Sequence, residues 1–391
     1  GLLAARAAGQ PRARAPWRPA IGGWVQRAAA AVTPKASRVA AKVWGLPKVQ
    51  FGVQAPAVPL PAHVQPGGAP QSFRITEEQV ARLREDGVVH VRGAAAEWVG
   101  FLRGVTDDQM EHPHVWSIVG RGGDSYDYIQ RNMWMTNDGF RDFMYYSPLG
   151  HVLAQLNRTE EVRLVTDMLL VNPNDGLDWH QDNQNGPIQP QDAMRWWVAM
   201  DRCGQDGVGV PEFLLGSHRN SSVGAADTCV DIERGDLPSF RRRSGFAVEP
   251  GDLLVWHTRT IHRIRPPRSG HWPQGAPRRV LGGTAARAGA VYQRQGRASA
   301  MSDLTEHTLQ DGEPLAGPCF PRIFPSRLEP EEAARTRGEV VSRSPAGLAR
   351  NLGALLERAA SVGTDFARVW APQAPAPVAT GRPEAAERLP A

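Results

Sequence analysis

Cysteine is scarce in this 391-residue chain: Cys203, Cys229 and Cys319 are three in number and far apart. An odd, scattered set builds neither a disulfide framework nor a closed zinc site, and it fits a reducing compartment. Long hydrophobic runs are missing too, since none approaches the roughly 18 apolar residues that span a bilayer. Residues 1–70 contain no Asp or Glu at all, against nine Lys or Arg. Removing those nine from the 45 basic residues leaves 36 to face 40 acidic ones, so the formal +5 hides a remainder of net −4. That balance argues against a basic nucleic-acid-binding domain, whose affinity rests on cations facing phosphates. The acid-free leader, rich in Ala, Arg, Pro and Val, is expected to be an organelle transit peptide, for mitochondrion or chloroplast. The alternative for it is a basic extension with no address.

What is present is a series of short β-branched and aliphatic runs. Val88–Val91, Arg163–Val171, Trp196–Met200, Glu212–Leu215, Leu253–His262 and Arg278–Leu281 each read as strands. Asn172-Pro173-Asn174-Asp175-Gly176, Gly216-Ser217-His218-Arg219 and Pro250-Gly251-Asp252 are the turn signals between them. Short strands at such spacing predict an all-β core, a double-stranded β-helix or jelly roll of cupin-like type, with flanking α-helices. Thr76 with Gln79 forms a capping box ahead of Val80 and Leu83, and Asp86-Gly87 ends that helix. Helices and loops are expected on the outer face of the barrel between Trp98 and Arg158. The expected layout is a basic leader over 1–70, a β domain over 71–325, a helical extension over 326–370 and a disordered Pro/Ala-rich tail over 371–391. Leu348, Leu352, Leu355 and Leu356 lie at helical spacing in the extension.

His180-Gln181-Asp182 is the triplet with the most chemistry in it. A histidine and a carboxylate two positions apart, joined by a later histidine, make the facial ligand set of a non-haem Fe(II) oxygenase, with open positions left for co-substrate and dioxygen. A His-x-Asp triplet arises by chance in roughly every second chain of this composition, so its surroundings decide its meaning. Two later histidines compete for the third position. His257 and His262 lie five residues apart, which on one continuous strand turns them to opposite faces. An inward His257 would carry Arg259 inward as well, a buried charge in need of a partner. The residues alone leave both open.

Several landmarks occur in order: Thr76-Glu77-Glu78-Gln79 through Glu85-Asp86-Gly87, His180-Gln181-Asp182, and Trp197-Val198-Ala199-Met200-Asp201. Then come Leu215-Gly216-Ser217-His218-Arg219, Gly251-Asp252-Leu253-Leu254, His262, and Arg278-Arg279-Val280-Leu281. Together they resemble the phytanoyl-CoA dioxygenase-like family of Fe(II)/2-oxoglutarate-dependent oxygenases, over about Phe73 to Pro325. The resemblance implies His180, Asp182 and His262 as the iron ligands, with His262 preferred to His257. It implies 2-oxoglutarate as co-substrate, its distal carboxylate on Arg278, where a guanidinium gives a bidentate match that lysine cannot. Met168, Gln181 and Trp197 are then expected beside the co-substrate, and ascorbate as an auxiliary reductant. The implied activity is a dioxygenase that consumes O2, hydroxylates a small organic substrate and releases succinate and CO2. The alternative is a non-catalytic jelly-roll binding or scaffold protein that keeps the barrel. A halogenase is disfavoured because Asp182 is present.

The chain departs from the family after the distal histidine. Ile264 stands where a hydroxyl often touches the co-substrate, and the stretch from Ser269 to Pro277 is long. Arg263, Arg265 and Arg268 make a basic cluster near the expected mouth, either a solvated rim or a recognition site for an anionic substrate group. Tyr126, Tyr128 and Trp134 are candidates to line the pocket. His112 and His114 have no later partner and are expected at the surface.

Overall fold

The computed structural model describes residues 53–326, apart from 57, 115–125, 175, 183–186, 205–207, 220–241, 244–245, 268, 270–271, 274, 294–308 and 318. Most of the leader, the helical extension, the tail and Cys229 lie outside these residues. The described end of the leader rests on the domain: the Gln54 backbone N–H donates to Thr136 at 2.8 Å, and Gly67 donates to the Tyr146 hydroxyl at 2.9 Å.

Two antiparallel sheets form the core. The larger runs β1 (Val88–Val91), β8 (Leu253–His257), β5 (Ala193–Ala199), β10 (Arg279–Arg287) and β3 (Val162–Pro173). At the outer edge of β3, β11 (Arg322–Phe324) pairs with its start and β2 (Tyr126–Arg131) with its end. The smaller sheet is β4 (Leu177–His180), β9 (His262–Ile264), β6 (Pro211–Leu214) and β7 (Arg242–Arg243). This is the double-stranded arrangement that the short, evenly spaced runs predict. Among the described residues no helix is long and apolar enough to cross a membrane.

The inner strands β3, β5, β8 and β10 of the larger sheet are buried on both faces, which is why they read as near-continuous apolar runs. On β5, Trp197 and Ala199 enter an interior cluster with Met168, Leu170, Phe213, Leu254, Trp256 and Val280. Trp196 and Val198 point the other way and are fully buried. That second face belongs to the helical layer, where Trp98 of the turn Ala96–Trp98 meets Phe101 of α2 (Val99–Glu111) and Phe143 of α4 (Asp138–Tyr146) edge-on. Between them in sequence lies the short α3 (Met133–Thr136), and α5 (Leu149–Asn157) packs against β3 and β11.

The first helix, α1 (Glu77–Asp86), forms as expected. Thr76 accepts from the Gln79 backbone while the Gln79 side chain accepts from Thr76, a reciprocal cap worth about 1 kcal/mol. Gly87 ends it at φ 80°, and a Cβ there would strike the His218 ring and the Thr260 hydroxyl. Any other residue would therefore push apart α1, the Ser217–Arg219 turn and the segment after β8.

Two expectations change. The run Leu253–His262 is not one strand: β8 stops at His257, the chain turns through Thr258–Thr260, and His262 opens β9 in the other sheet. The Trp98–Arg158 region is not only helices and loops, because β2 within it extends the larger sheet.

Candidate metal and co-substrate site

Antiparallel register brings the first two ligands together. His180 at the end of β4 is the direct cross-strand partner of His262 at the start of β9, and their ring centroids lie 4.2 Å apart. Asp182 follows two residues on, its backbone N–H donating to the Thr258 carbonyl at 2.8 Å. The turn that splits β8 from β9 thus holds the carboxylate in place as well as re-aiming His262. Ligand atoms of the three residues all lie within 4.8 Å of one another. His257 stays outside this group. It sits beside His218, with ring centroids 5.4 Å apart, and accepts from the Arg259 backbone N–H.

The hydrogen bonds select the nitrogen each imidazole offers. His180 Nδ1 lies 2.6 Å from the Asp178 carbonyl and His262 Nδ1 lies 2.9 Å from the Thr260 carbonyl. A carbonyl only accepts, so each Nδ1 carries the proton and each Nε2 keeps its lone pair for a metal. The Nε2 atoms face Asp182, at 3.8 Å to Oδ1 from His180 and 3.3 Å to Oδ2 from His262.

Electrostatics keep His262 and Asp182 deprotonated. Burial pushes His262 down to about 4, and its neighbour His180 adds to that. For Asp182 burial acts upward, but Arg195, the two histidines and the Trp256 indole outweigh it and hold the carboxyl at about 2. Arg195 Nε donates to Asp182 Oδ2 at 3.1 Å and its Nη1 to Thr284 at 2.8 Å. Trp256 Nε1 reaches the same carboxylate oxygen at 3.3 Å. Two imidazole Nε2 atoms and one carboxylate, converging in a mostly buried corner, fit a divalent cation with open positions.

Arg278 lies in the same interior, over Trp197. Its side chain is fully buried; Nε donates to the Gly209 carbonyl at 2.8 Å, and neither Nη finds a partner. Trp197 lies beneath the guanidinium at 5.2 Å, and Val280 and Met168 belong to the same interior cluster. A buried guanidinium with its fork unpaired among apolar side chains could take up a carboxylate in bidentate fashion. The long 269–277 stretch contributes to this. Trp272 packs over Gly209, which has φ 74° and no room for a Cβ, so the loop fixes the carbonyl that anchors Arg278.

Met168, Trp197 and Arg278 are therefore gathered in one interior. Gln181 is turned to the β8–β9 turn, where its amide donates to the Arg259 carbonyl at 2.7 Å. Of the three aromatic candidates, only Tyr126 lines the site. Burial raises its hydroxyl, and the charges of Arg278, Arg195 and Asp182 all reach it. The Tyr128 hydroxyl instead donates to Gln130 and accepts from Gln109 under α2, and the Trp134 backbone donates to Asp167 on the far side of β3. Ile264 is buried on the same face of β9 as His262 and leaves that spot apolar.

The basic cluster is not a free rim. Arg263 and Arg265 both donate to buried Glu212, at 2.8 and 3.0 Å, and Arg263 also covers Trp179 at 4.5 Å. Arg268 lies outside the described residues. His114 is fully buried, not at the surface, and His112 pairs with Asp108 at 3.0 Å. Sequence reading missed Arg195 and Arg131. Arg195 stands two residues before Trp197 and so shares its face, a signal that strand alternation supplies.

Comparison with known proteins agrees with the geometry. The family model for phytanoyl-CoA dioxygenase (PhyH) matches residues 83–275. Among solved structures, the chain is similar to SnoK, a non-haem α-ketoglutarate-dependent carbocyclase from nogalamycin biosynthesis, with TM-score 0.53 and 19% identity over 65% of this chain and 99% of that one. SnoN, the non-haem α-ketoglutarate-dependent epimerase of the same biosynthesis, gives TM-score 0.52 and 22% identity over 63% and 95%. No curated protein matches the chain in sequence. Identities this low show a shared fold, while the family match bears on the segment that holds all three candidate metal ligands. Residues 83–275 of this chain form a domain of the phytanoyl-CoA dioxygenase family.

Proposed function

We propose that the protein is an Fe(II)- and 2-oxoglutarate-dependent dioxygenase that hydroxylates a small organic substrate, with release of succinate and CO2. One observation carries the reading: a His180–Asp182–His262 donor set and an unpaired, fully buried Arg278 fork share one interior. His180 Nε2, His262 Nε2 and an Asp182 oxygen would hold Fe(II), and Arg278 would take the distal carboxylate of 2-oxoglutarate. With iron bound, the centre would activate dioxygen at the expense of 2-oxoglutarate and oxidise a C–H bond of the substrate.

The chain's own residues do the positioning. Arg195 and Trp256 fix Asp182 so that it meets both histidines, and the two backbone carbonyls fix the imidazole tautomers. Phe213 and Trp256 wall His262, at ring distances of 5.7 and 5.3 Å, and exclude water from that side. Tyr126 and Trp197 shape the space next to Arg278.

Anaerobic titration with Fe(II) and 2-oxoglutarate, followed by the visible charge-transfer band of the chelate, tests the proposal. The band should form in the wild type and in His257→Ala, and be absent in His180→Ala and His262→Ala. A folded wild type that shows no band would support the binding-protein alternative instead. SnoK and SnoN are described as a carbocyclase and an epimerase, so product mass matters: a gain of one oxygen atom marks hydroxylation, and its absence marks another outcome of the same oxidant.

A further inference from the structure

Two side-chain donors meet on one oxygen of Asp182, and one of them is charged. Arg195 Nε reaches Oδ2 at 3.1 Å, and the Trp256 indole N–H reaches the same atom at 3.3 Å. Strand register delivers both. On β5, Arg195 stands directly opposite Trp256 of β8 on one side and Thr284 of β10 on the other. Thr284 accepts from Arg195 Nη1 at 2.8 Å, so the guanidinium is held at two points, one of them a candidate metal ligand. Arg195, Asp182 and Thr284 are all buried.

Positioning alone does not call for that charge. Trp256 holds the carboxylate with a neutral N–H, and a buried ion pair is seldom more stable than uncharged groups of matching shape. What the guanidinium adds is a fixed positive charge against the one carboxylate of the candidate ligand set. That charge acts on any metal the set holds. It offsets the Asp182 anion, so a change from Fe(II) to Fe(III) adds a unit of positive charge close to a cation. In a low-dielectric interior such like charges repel far more strongly than in water. Outer groups bonded to a ligand tune a metal in this way. The reaction proposed above starts from the ferrous ion, the state that the guanidinium favours.

We infer that Arg195 is a positioning residue that holds Asp182 and, through it, poises the bound iron in its ferrous state. This rests on the oxygenase reading and deepens it.

The test is an anaerobic redox titration of the full chain loaded with iron, without 2-oxoglutarate. Each oxidation takes one electron from the iron and passes it to a chemical mediator, and the high-spin ferric EPR signal reports the ferric fraction. At a fixed potential, Arg195→Gln should raise the ferric-to-ferrous ratio by roughly tenfold or more, the scale of one charge removed from a buried site. Arg195→Lys should restore most of the wild-type ratio. Trp256→Phe removes the neutral donor from the same oxygen, and its ratio should stay within about threefold of wild type. Thr284→Asp keeps the arginine but neutralises it from its other end, and should shift the ratio in the same direction as Arg195→Gln. Where Arg195→Gln does not fold, Thr284→Asp decides. A ratio that stays at the wild-type value in the deciding variant overturns the inference. So does an equal shift in Arg195→Gln and Trp256→Phe, because lost position and not lost charge would then be the cause. A wild type that takes up no iron overturns the oxygenase reading first, and this inference with it.

Discussion

Replacing Arg278 by methionine separates two energies that act in opposite directions. Without ligand, the guanidinium is fully buried, keeps one hydrogen bond to Gly209 and leaves both Nη groups unpaired. Burying a half-satisfied charge costs several kcal/mol. The Trp197 ring beneath it returns about 2 kcal/mol at best. Methionine fills much of the same space, removes the buried charge, and gives up one charged hydrogen bond worth about 1.5–3 kcal/mol. The gains and losses are similar in size, so the ligand-free Arg278→Met protein should melt within a few degrees of wild type.

The bound state behaves differently. Two charge-assisted N–H···O bonds to the distal carboxylate vanish, at about 1.5–3 kcal/mol each. A total of about 3–6 kcal/mol weakens 2-oxoglutarate by roughly 10² to 10⁴. For wild type, co-substrate at 100 times its Kd stabilises the fold by about 2.7 kcal/mol, or about 5–10 °C in Tm for a domain of this size. Anaerobic thermal melts with Fe(II), with and without 2-oxoglutarate, read both effects at once. The expected result is a ligand shift in wild type, none in Arg278→Met, and nearly equal ligand-free melting. A ligand-free Arg278→Met that melts well over 10 °C lower would refute the reasoning, because the guanidinium would then be a structural strut with a partner of its own.

Two further outcomes follow from buried acids. Burial pushes Asp167 up to about 8 from 3.8, with backbone donors opposing only in part, so the native state keeps a proton that the unfolded chain has released. Its contribution is most favourable below about pH 4 and declines as pH rises toward 8; Asp167→Asn should flatten the fall of Tm between pH 5 and 8, and parallel curves would rule the effect out. Glu212 is buried while the Arg263 and Arg265 side chains are 25% and 40% exposed and can turn to water. Glu212→Gln should therefore lower stability by about 1–3 kcal/mol in urea unfolding, and no change would place these pairs among weak surface ion pairs.

Much of the core was legible because burial on two faces leaves unbroken apolar runs: Trp196–Met200 and Leu253–His262 read as strands for that reason, and they overlap β5 and β8. The capping box was legible because its partners are three residues apart. The turn at Thr258–Thr260 was not, since Thr-Arg-Thr carries no Gly, Pro or Asn and looks like more strand. What bends it is tertiary: Thr260 donates to the Gly87 carbonyl, and Asp182 donates to Thr258. The His257–His262 ambiguity came from assuming continuity there. Strand β2 was hidden because Tyr-Asp-Tyr-Ile-Gln-Arg mixes polar and apolar residues on both faces, under helices on one side and over the site on the other.

The candidate site divides along the same line. The spacing of His180 and Asp182 is local and could be read; the pairing of His180 with His262 depends on register between β4 and β9, which no run of residues reports. Charge followed register too. Glu212 stands directly opposite Arg263, so a basic cluster that looked available is consumed by a neighbour on another strand. Arg195 and Arg131 were overlooked as charges in otherwise ordinary strands, yet both obey alternation. Once Trp197 is placed in the interior, Arg195 two residues earlier must face it as well, and once Met168 is placed there, its cross-strand partner Arg131 must too. A charged residue sharing a strand face with an assigned pocket residue is costly to bury unless something pairs with it. For Arg195 that partner is Asp182; for Arg131, whose Nε is buried without a hydrogen-bond partner, the described residues offer none.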